Sequence, residues 1–184
     1  MKNQVVLFIC LLFLVHTGES LKYTLIGELE VAASASEVWA FFASNDAPKM
    51  FVQLLPGLFE RIEILEGDGG VGSVLRIVYP AGSVPLTNKE KFVTIDDRRR
   101  LKEILQTEGG YLDLGVTNLM ESFQITRKGA NSCIIKSMIN YEVPDDLAAN
   151  VAPLISIEGL INMAKVAANY IIDSKNKTSS IADM

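Results

Sequence analysis

The fold class is decided between residues 132 and 172, where the sequence reads SCIIKSMINYEVPDDLAANVAPLISIEGLINMAKVAANYII. Apolar residues alternate with polar ones from Ser132 to Val143, a pattern that predicts a β-strand with one buried face. After Pro144 the spacing becomes helical, and we expect one long amphipathic helix from Leu147 to Ile172 with a kink near Pro153. The polar residues 175–184 predict a flexible tail.

Upstream of residue 132 the period of two returns in six further segments, which predicts six more strands. Two short helices are expected between the first and second strands, one capped by Ser34 or Ser36 and one between Asn45 and Pro56. Gly27 is expected to form a bulge in the first strand. The predicted strands are Lys22–Ala33, Phe59–Leu65, Ser73–Tyr79, Asn88–Ile95, Leu101–Thr107 and Leu112–Thr126.

This order of elements predicts an α+β fold of the helix-grip type. A curved seven-stranded antiparallel sheet would wrap around the long C-terminal helix, because that many strands must curl and the helix must cover the concave face. The two short helices belong to the same layer as the long helix. Such an arrangement leaves an internal cavity between the sheet and the helix, and we expect this cavity to be a ligand pocket.

Residues 1–20 have the composition of a secretory signal peptide. Lys2 precedes eleven apolar residues, Val5 to Val15, and small residues follow at Gly18 and Ser20, after which we expect cleavage. The apolar run would reach only ~16 Å as a helix, about half of a bilayer core, so no stable membrane span is expected after cleavage. An uncleaved anchor is the alternative. The predicted domain is residues 21–184, in the endoplasmic reticulum, the vacuole or outside the cell.

Composition excludes several classes of function. The chain has 17 basic and 22 acidic residues in 184 and a net charge of -5, which argues against a nucleic-acid partner. Cleavage after Ser20 would remove the single histidine and leave Cys133 as the sole cysteine. That excludes His-based triads and zinc sites built from His and Cys, and no metal site is expected. Cys133 is predicted to be a buried, inert thiol.

Two short motifs have ordinary explanations. The glycine-rich segment EGDGGVGS, residues 66–73, resembles a phosphate-binding loop, but strands are predicted on both sides of it. We therefore interpret it as a hairpin that needs positive backbone angles. Asn176-Lys177-Thr178 is an acceptor sequence for N-glycosylation, and the same tripeptide also arises by chance.

Charged residues on strand faces that should be apolar are the main functional signal. Alternation places Glu90 on the face of Phe92, and Glu121 on the face of Leu119 and Phe123, so both carboxylates should face the cavity. Lys102 is ambiguous, because it shares a face with Ile104 and also with polar residues. A solvated face or a buried ion pair is the alternative for each residue. Together, a lysine and two carboxylates in an apolar cavity would have shifted pKa values suited to acid–base catalysis.

Seven segments of the chain, in this order and spacing, resemble the plant norcoclaurine synthases of the pathogenesis-related class ten (Bet v I) family. These segments are GELEVAAS, LLPG, EGDGGVGSVL, NKEKF, RLKE, EGGYLDLGVT and NSCIIKS. The resemblance covers nearly the whole predicted domain. EGGYLDLGVT and the positions around Lys102 mark the synthase branch more specifically than the glycine loop or the last helix.

The resemblance implies a cofactor-free Pictet–Spengler condensation of dopamine with 4-hydroxyphenylacetaldehyde, which gives (S)-norcoclaurine and water. It implies that Lys102 shuttles protons during iminium formation, which turns this side chain inward, and that Glu90 takes the ring proton. Phe92 and Tyr111 would line the pocket around the aromatic rings. The implied partners are a small aromatic amine and an aldehyde, bound by a monomer or weak homodimer.

Two positions depart from the family pattern. Asn88 stands where the family has an active-site tyrosine, which removes an aromatic wall and a phenol near the entrance. Glu121 stands where the family has an aspartate, and a carboxylic acid there can still donate a proton. Two other functions therefore stay open. One is a non-catalytic carrier of apolar ligands such as phytohormones, flavonoids or alkaloids, and the other is a related synthase that joins tyramine to another aromatic aldehyde.

Overall fold

The computed structural model describes residues 19–83 and 85–182 of the chain. In these residues seven strands and four α-helices form the α+β fold predicted above. The strands are β1 Ser20–Val31, β2 Arg61–Glu66, β3 Val74–Val78, β4 Thr87–Asp96, β5 Leu101–Gly109, β6 Asn118–Arg127 and β7 Cys133–Pro144. The helices are α1 Ala35–Ala43, α2 Ala47–Leu54, α3 Asp145–Val151 and α4 Glu158–Ala182.

The strands form one curved antiparallel sheet in the order β1-β7-β6-β5-β4-β3-β2. The first and second strands of the chain are therefore the two edges of the sheet, and α1 and α2 connect one edge to the other. Strand β1 pairs with β7 along its whole length, from Ser20 opposite Pro144 to Val31 opposite Cys133. The predicted seven-stranded curved sheet is confirmed, and its concave face is covered by α4 and the two short helices.

Ser34 begins α1, as one of the two predicted caps. Its hydroxyl accepts a hydrogen bond from the Glu37 backbone N–H, while the Glu37 carboxylate accepts one from the Ser34 backbone N–H. This reciprocal pair satisfies backbone donors that the first helical turn leaves unpaired. Lys175 of α4 lies 3.0 Å from the same carboxylate, so the cap also ties the two helices together.

Strand β1 runs past Gly27 without a bulge, and the predicted bulge is wrong. The register with β7 is continuous through this position, where Gly27 lies opposite Ser137. The reason for a glycine is the close approach of the long helix, because an added Cβ would lie 2.7 Å from Ile161 Cδ1. Gly27 therefore allows α4 to pack directly against the backbone of the sheet.

The prediction of one long helix from Leu147 to Ile172 is wrong in its continuity and at its C-terminal end. Pro153 interrupts the helical segment, so α3 ends at Val151 and a 3-10 turn, Ala152–Leu154, precedes α4. At the other end, helical structure continues to Ala182, so the residues expected to form an irregular tail are helical from 175 to 182. No proline or glycine follows Ile172 to end the helix.

The segment from Asp145 to Lys177 is long and apolar enough, by composition alone, to cross a membrane. In the structure, apolar side chains of this segment pack in the core of the domain. Leu160, Ala164 and Ala167 of α4 are buried in the core against the sheet. This is the pattern of a helix that closes the core of a folded domain.

Three local predictions meet different outcomes. The segment Leu112–Thr126 is a strand only from Asn118, because Leu112–Leu114 forms a 3-10 turn instead. The glycine-rich segment is a hairpin between β2 and β3, and its residues Gly67, Gly69 and Gly72 have positive φ as expected. Cys133 is completely buried with a free thiol, and burial raises its pKa. Residues 1–18 of the predicted signal peptide lie outside the described part of the chain.

Candidate active site

A cavity of about 450 Å³ lies between the concave face of the sheet and the helices α2 and α4. Its walls are mostly apolar, with Phe51 contributed by α2 and with Leu160 and Met163 contributed by α4. Polar and titratable side chains from the central strands also reach it. These are Tyr79, Asn88, Glu90, Lys102, Gln106 and Glu121. An apolar cavity with a few convergent polar groups is the typical form of a small-molecule site.

All six residues proposed from the sequence line this one cavity. They come from strands β4, β5 and β6 and from the segment after β5, which the antiparallel ladder places side by side. The catalytic candidates are Lys102, Glu90 and Glu121, and the substrate-binding candidates are Asn88, Phe92 and Tyr111. Their shared location is a structural result, whereas their individual roles stay predictions.

Lys102 faces inward and is only 4% exposed. Its Nζ donates a hydrogen bond to the backbone carbonyl of Phe42, at 3.0 Å, and lies 4.0 Å from the centre of the Phe92 ring. The Phe42 carbonyl belongs to the last turn of α1, where carbonyls lack helical partners and favour a cation. Burial still outweighs these contacts and lowers the pKa of Lys102 to about 8. The structure thus resolves the ambiguity that alternation left for this lysine.

The two carboxyl groups have raised pKa values for a shared reason. Burial raises the pKa of Glu90 to about 7, although a hydrogen bond from Asn88 Nδ2, 2.9 Å from Glu90 Oε1, works in the opposite direction. Burial, followed by repulsion from Glu90, raises the pKa of Glu121 to about 8. Near neutral pH the pair therefore holds a proton that two solvated carboxylates would have lost.

Lys102 forms no ion pair with either carboxyl group in the described part of the chain, and burial is the only cause of its lowered pKa. The cavity therefore holds a lysine without an ion pair and two carboxyl groups that interact with each other. Lys102 is free to exchange a proton with a bound ligand, whereas Glu90 and Glu121 titrate as a pair.

Asn88 is buried in the cavity wall, with 4% of its surface exposed. It follows Thr87 at the start of β4 and its amide contacts Glu90. Tyr111 is half-buried and its hydroxyl donates a hydrogen bond to the backbone carbonyl of Leu154, at 3.3 Å. Tyr111 therefore connects the segment after β5 to the turn between α3 and α4.

Two cavity residues were missed by the sequence analysis, Tyr79 and Gln106. Burial and the nearby carboxyl groups Glu90 and Glu121 raise the pKa of Tyr79, which keeps its phenol protonated. Gln106 lies opposite Glu90 in the β4–β5 ladder and is 5% exposed. Alternation could have found both, because Tyr79 continues the inward face of Leu75 and Ile77, and Gln106 continues that of Lys102 and Ile104.

Within residues 19–83 and 85–182, no group of three or more His, Cys, Asp or Glu residues is arranged to hold a metal ion.

Comparison with known proteins identifies the family. The Pathogenesis-related protein Bet v 1 family matches residues 20–178. The chain belongs to this family. Among Bet v 1 proteins of known structure, the chain is similar to norcoclaurine synthase from Thalictrum flavum in complex with dopamine and hydroxybenzaldehyde, with a TM-score of 0.81 and 36% identity over 94% of this chain and 98% of that one.

Two curated proteins are similar to the chain in sequence. S-norcoclaurine synthase 2 from Papaver somniferum is 45% identical over 149 residues, which are 80% of this chain and 64% of that protein. The chain thus spans somewhat less than two thirds of the poppy enzyme. Norbelladine synthase from Narcissus pseudonarcissus is 36% identical over 86% of this chain and 98% of that protein.

Proposed function

We propose that the protein is a synthase of the Pictet–Spengler type, which condenses dopamine with 4-hydroxyphenylacetaldehyde to (S)-norcoclaurine and water. One observation carries this proposal: one apolar cavity holds a buried lysine without a carboxylate partner and a pair of carboxyl groups that retains a proton near neutral pH. The similarity to norcoclaurine synthases over most of the chain supports the same reaction class.

The reaction needs proton transfer at three points. The amine nitrogen adds to the aldehyde carbon, and the resulting carbinolamine loses its hydroxyl as water to give an iminium ion. Lys102, with a pKa of about 8, can give the departing hydroxyl its proton and recover one from the amine. Glu121, which burial keeps protonated near neutral pH, is a second proton donor for the same step.

The later steps need a base. A ring carbon of the catechol attacks the iminium carbon, which forms the new carbon–carbon bond and leaves one proton too many on the ring. Glu90, ionised in part at pH 7, can take this proton and restore the aromatic ring. Phe92 and Tyr111 line the cavity where they can pack against the two aromatic rings.

The experiment is an assay of purified protein with dopamine and 4-hydroxyphenylacetaldehyde, with the product separated on a chiral column. We expect an excess of one tetrahydroisoquinoline enantiomer formed faster than in buffer. Racemic product at the buffer rate would contradict the proposal and favour a ligand carrier, for which the apolar cavity and the loss of the family tyrosine at Asn88 are the arguments.

A related imine-forming synthase is the second candidate, and the similarity to norbelladine synthase favours it. The same assay distinguishes the two candidates when tyramine and a hydroxybenzaldehyde are offered in parallel. A reductively trapped imine, formed without a cyclised product from dopamine, would support this second reading.

We also propose that the protein acts in the secretory pathway, on the composition of residues 1–20. Sequencing of the N-terminus of the protein recovered from plant cells tests this, with Leu21 as the expected first residue. Asn176 is exposed on α4, and a mass shift removed by a glycosidase would show that it carries a glycan.

A further inference from the structure

Two side-chain amides in the cavity have carbonyl oxygens without a partner. Asn88 on β4 and Gln106 on β5 are 4% and 5% exposed, and both line the cavity. Neither Asn88 Oδ1 nor Gln106 Oε1 accepts a hydrogen bond from the described residues. Buried polar atoms in folded proteins are nearly always paired, so two unpaired acceptors in the wall of a ligand cavity need an explanation.

The backbone fixes where these amides lie. Gln106 is opposite Glu90 in the β4–β5 ladder, and Asn88 is two residues from Glu90 on β4. Gly110, with φ +60°, closes one side, because a Cβ there would lie 2.4 Å from Gln106 Nε2 and 3.0 Å from Asn88 Cβ. The two amides are thus packed against a backbone that leaves no room for another side chain.

The orientation of the Asn88 amide follows from its partner. Its Nδ2 donates to Glu90 Oε1 at 2.9 Å, so the atom left without a partner is the acceptor Oδ1. Asn88 therefore offers an acceptor, and Gln106 Oε1 is a second buried acceptor without a donor. Two such acceptors call for a ligand with hydrogen-bond donors. A ligand ammonium group would be drawn to the carboxyl groups instead, and the apolar walls favour an aromatic ring.

We propose that Asn88 and Gln106 form an amide subsite that accepts hydrogen bonds from a ring hydroxyl of a phenolic or catechol ligand beside Glu90. This inference rests on the proposed function, since it takes the ligand to be one of the two aromatic substrates. It makes Asn88 and Gln106 residues that select hydroxylated rings.

The test measures binding, so that it does not depend on turnover. Calorimetry with the protein expressed from the full chain compares dopamine with phenethylamine, and 2-(4-hydroxyphenyl)ethanol with 2-phenylethanol. Within each pair the probes differ only in ring hydroxyl groups. We expect the hydroxylated probe of at least one pair to bind about tenfold more tightly, the effect of one or two neutral hydrogen bonds.

Asn88→Leu and Gln106→Leu replace each amide by an apolar side chain of similar size. We expect either variant to reduce that preference to about twofold or less, mainly through weaker binding of the hydroxylated probe. Effects on the ligand ammonium group cancel in the comparison of dopamine with phenethylamine. Asn88→Leu also removes the hydrogen bond to Glu90, so Gln106→Leu is the variant that tests the subsite without that change. Thermal melting checks that the variants fold, and the two substitutions allow the test to proceed if one does not.

Ser122→Ala is the matched control. Ser122 Oγ is also buried and unpaired, but Ser122 does not line the cavity, so its loss should leave the ratio unchanged. Equal preference for the hydroxylated probe in the unaltered protein and in both leucine variants would overturn the subsite. A protein that shows the effect without forming product would contradict the proposed reaction while leaving the subsite standing.

Discussion

Lys102 keeps its ammonium group between a helix carbonyl and an aromatic ring, where almost no solvent reaches it. A buried lysine without a carboxylate partner is costly, because burial penalises the charged form. An arginine would stay charged in such a place, whereas a lysine responds by lowering its pKa. The lowered pKa of about 8 puts both protonation states within reach near neutral pH, as a proton shuttle requires.

We expect Lys102→Met to reduce the rate of enantioselective condensation at least ~100-fold while preserving the fold, because it removes the proton shuttle and keeps an apolar side chain of similar length. The melting temperature should stay equal or rise, since the substitution removes a buried charge. Chiral chromatography and thermal melting measure the two effects.

The control for that variant is Lys89→Met. Lys89 forms an ion pair with Glu108, 2.6 Å apart, and this pair belongs to the sheet surface outside the cavity. The Lys89→Met variant should form product at the rate of the unaltered protein. A Lys102→Met variant that keeps this rate would show that Lys102 takes no part in the mechanism.

The rate should depend on pH with a maximum between about 7 and 8. Below this range Glu90, with a pKa of about 7, becomes protonated and can no longer accept the ring proton. Above it Lys102 and Glu121, each with a pKa of about 8, lose the protons they donate. The profile of kcat at saturating substrate, corrected for the buffer reaction, measures this. In Glu90→Gln the acid limb should disappear along with most of the rate, and an unchanged acid limb would assign it to another group.

Single residues show where sequence reasoning reaches its limit. The inward faces of Glu90 and Glu121 follow from alternation with Phe92 and Phe123, and the structure confirms them. Lys102 stays ambiguous in the sequence, because on β5 the inward face carries a lysine and a glutamine beside Ile104. Polarity normally marks the solvent side of a strand, so a polar cavity wall reverses the signal. For the same reason Gln106 is a sign of a solvent-facing strand in the sequence, whereas the structure buries it in the cavity wall.

At the scale of elements, the contact between β1 and α4 fixes how closely the long helix approaches the sheet. Gly27 presents bare backbone to Ile161 at this contact. In the sequence, a glycine within a strand predicts a bulge, which is a property of the strand itself. The cause lies in a residue far along the chain, which no local pattern contains.

Gly27→Ala should therefore destabilise the protein by about 1–3 kcal/mol, although alanine usually suits a strand better than glycine, because the new methyl group overlaps Ile161. Ile161→Ala should destabilise the Gly27→Ala variant less than it destabilises the unaltered protein. Chemical denaturation of the four proteins of this cycle measures the coupling.

Gly57→Ala is the control for the alanine itself, since a Cβ at Gly57 would have no atom within 4 Å. It should leave stability nearly unchanged. Additive effects of Gly27→Ala and Ile161→Ala would show that the helix does not pack on this glycine.

Helix ends show a second limit at this scale. Pro153 was expected to kink a continuous helix, and the structure instead has a 3-10 turn between two helices. The end at Ala182 was missed because the polar residues after Ile172 have no apolar period, although nothing there prevents a helix. The Lys175–Glu37 ion pair gives one of these polar turns a tertiary partner.

At the scale of the whole molecule, the sheet and the helices follow from the periodicity of the sequence. The buried carboxyl groups of the cavity add an effect of pH on the stability of the fold. The raised pKa values of Glu90 and Glu121 mean that the folded protein binds more protons than the unfolded chain between pH 4.5 and about 7 to 8. Stability must therefore fall as pH rises through this range. The lowered pKa of Lys102 makes stability rise with pH, but only between about pH 8 and pH 10.5.

We expect the melting temperature of the unaltered protein to fall by several degrees between pH 5 and pH 8, since about 1 kcal/mol corresponds to ~2–4 °C in a domain of this size. The double variant Glu90→Gln with Glu121→Gln cannot ionise at these positions and should show a smaller fall. The matched control replaces the exposed carboxylates Glu28 and Glu66 with glutamine. Its melting temperature should decrease between pH 5 and pH 8 as much as that of the unaltered protein. Parallel curves for all three proteins would rule out the buried acids as its cause.

The pairing of β1 with β7 also determines how the chain must fold. Each of the twelve residue pairs joins positions more than one hundred residues apart, from Val31 with Cys133 to Ser20 with Pro144. Proteins with such high contact order fold slowly, because a long loop closes before its contacts form. During synthesis β1 emerges first and waits, with its backbone donors and acceptors unpaired, until β7 has left the ribosome. This interval is when the nascent chain is most exposed to aggregation.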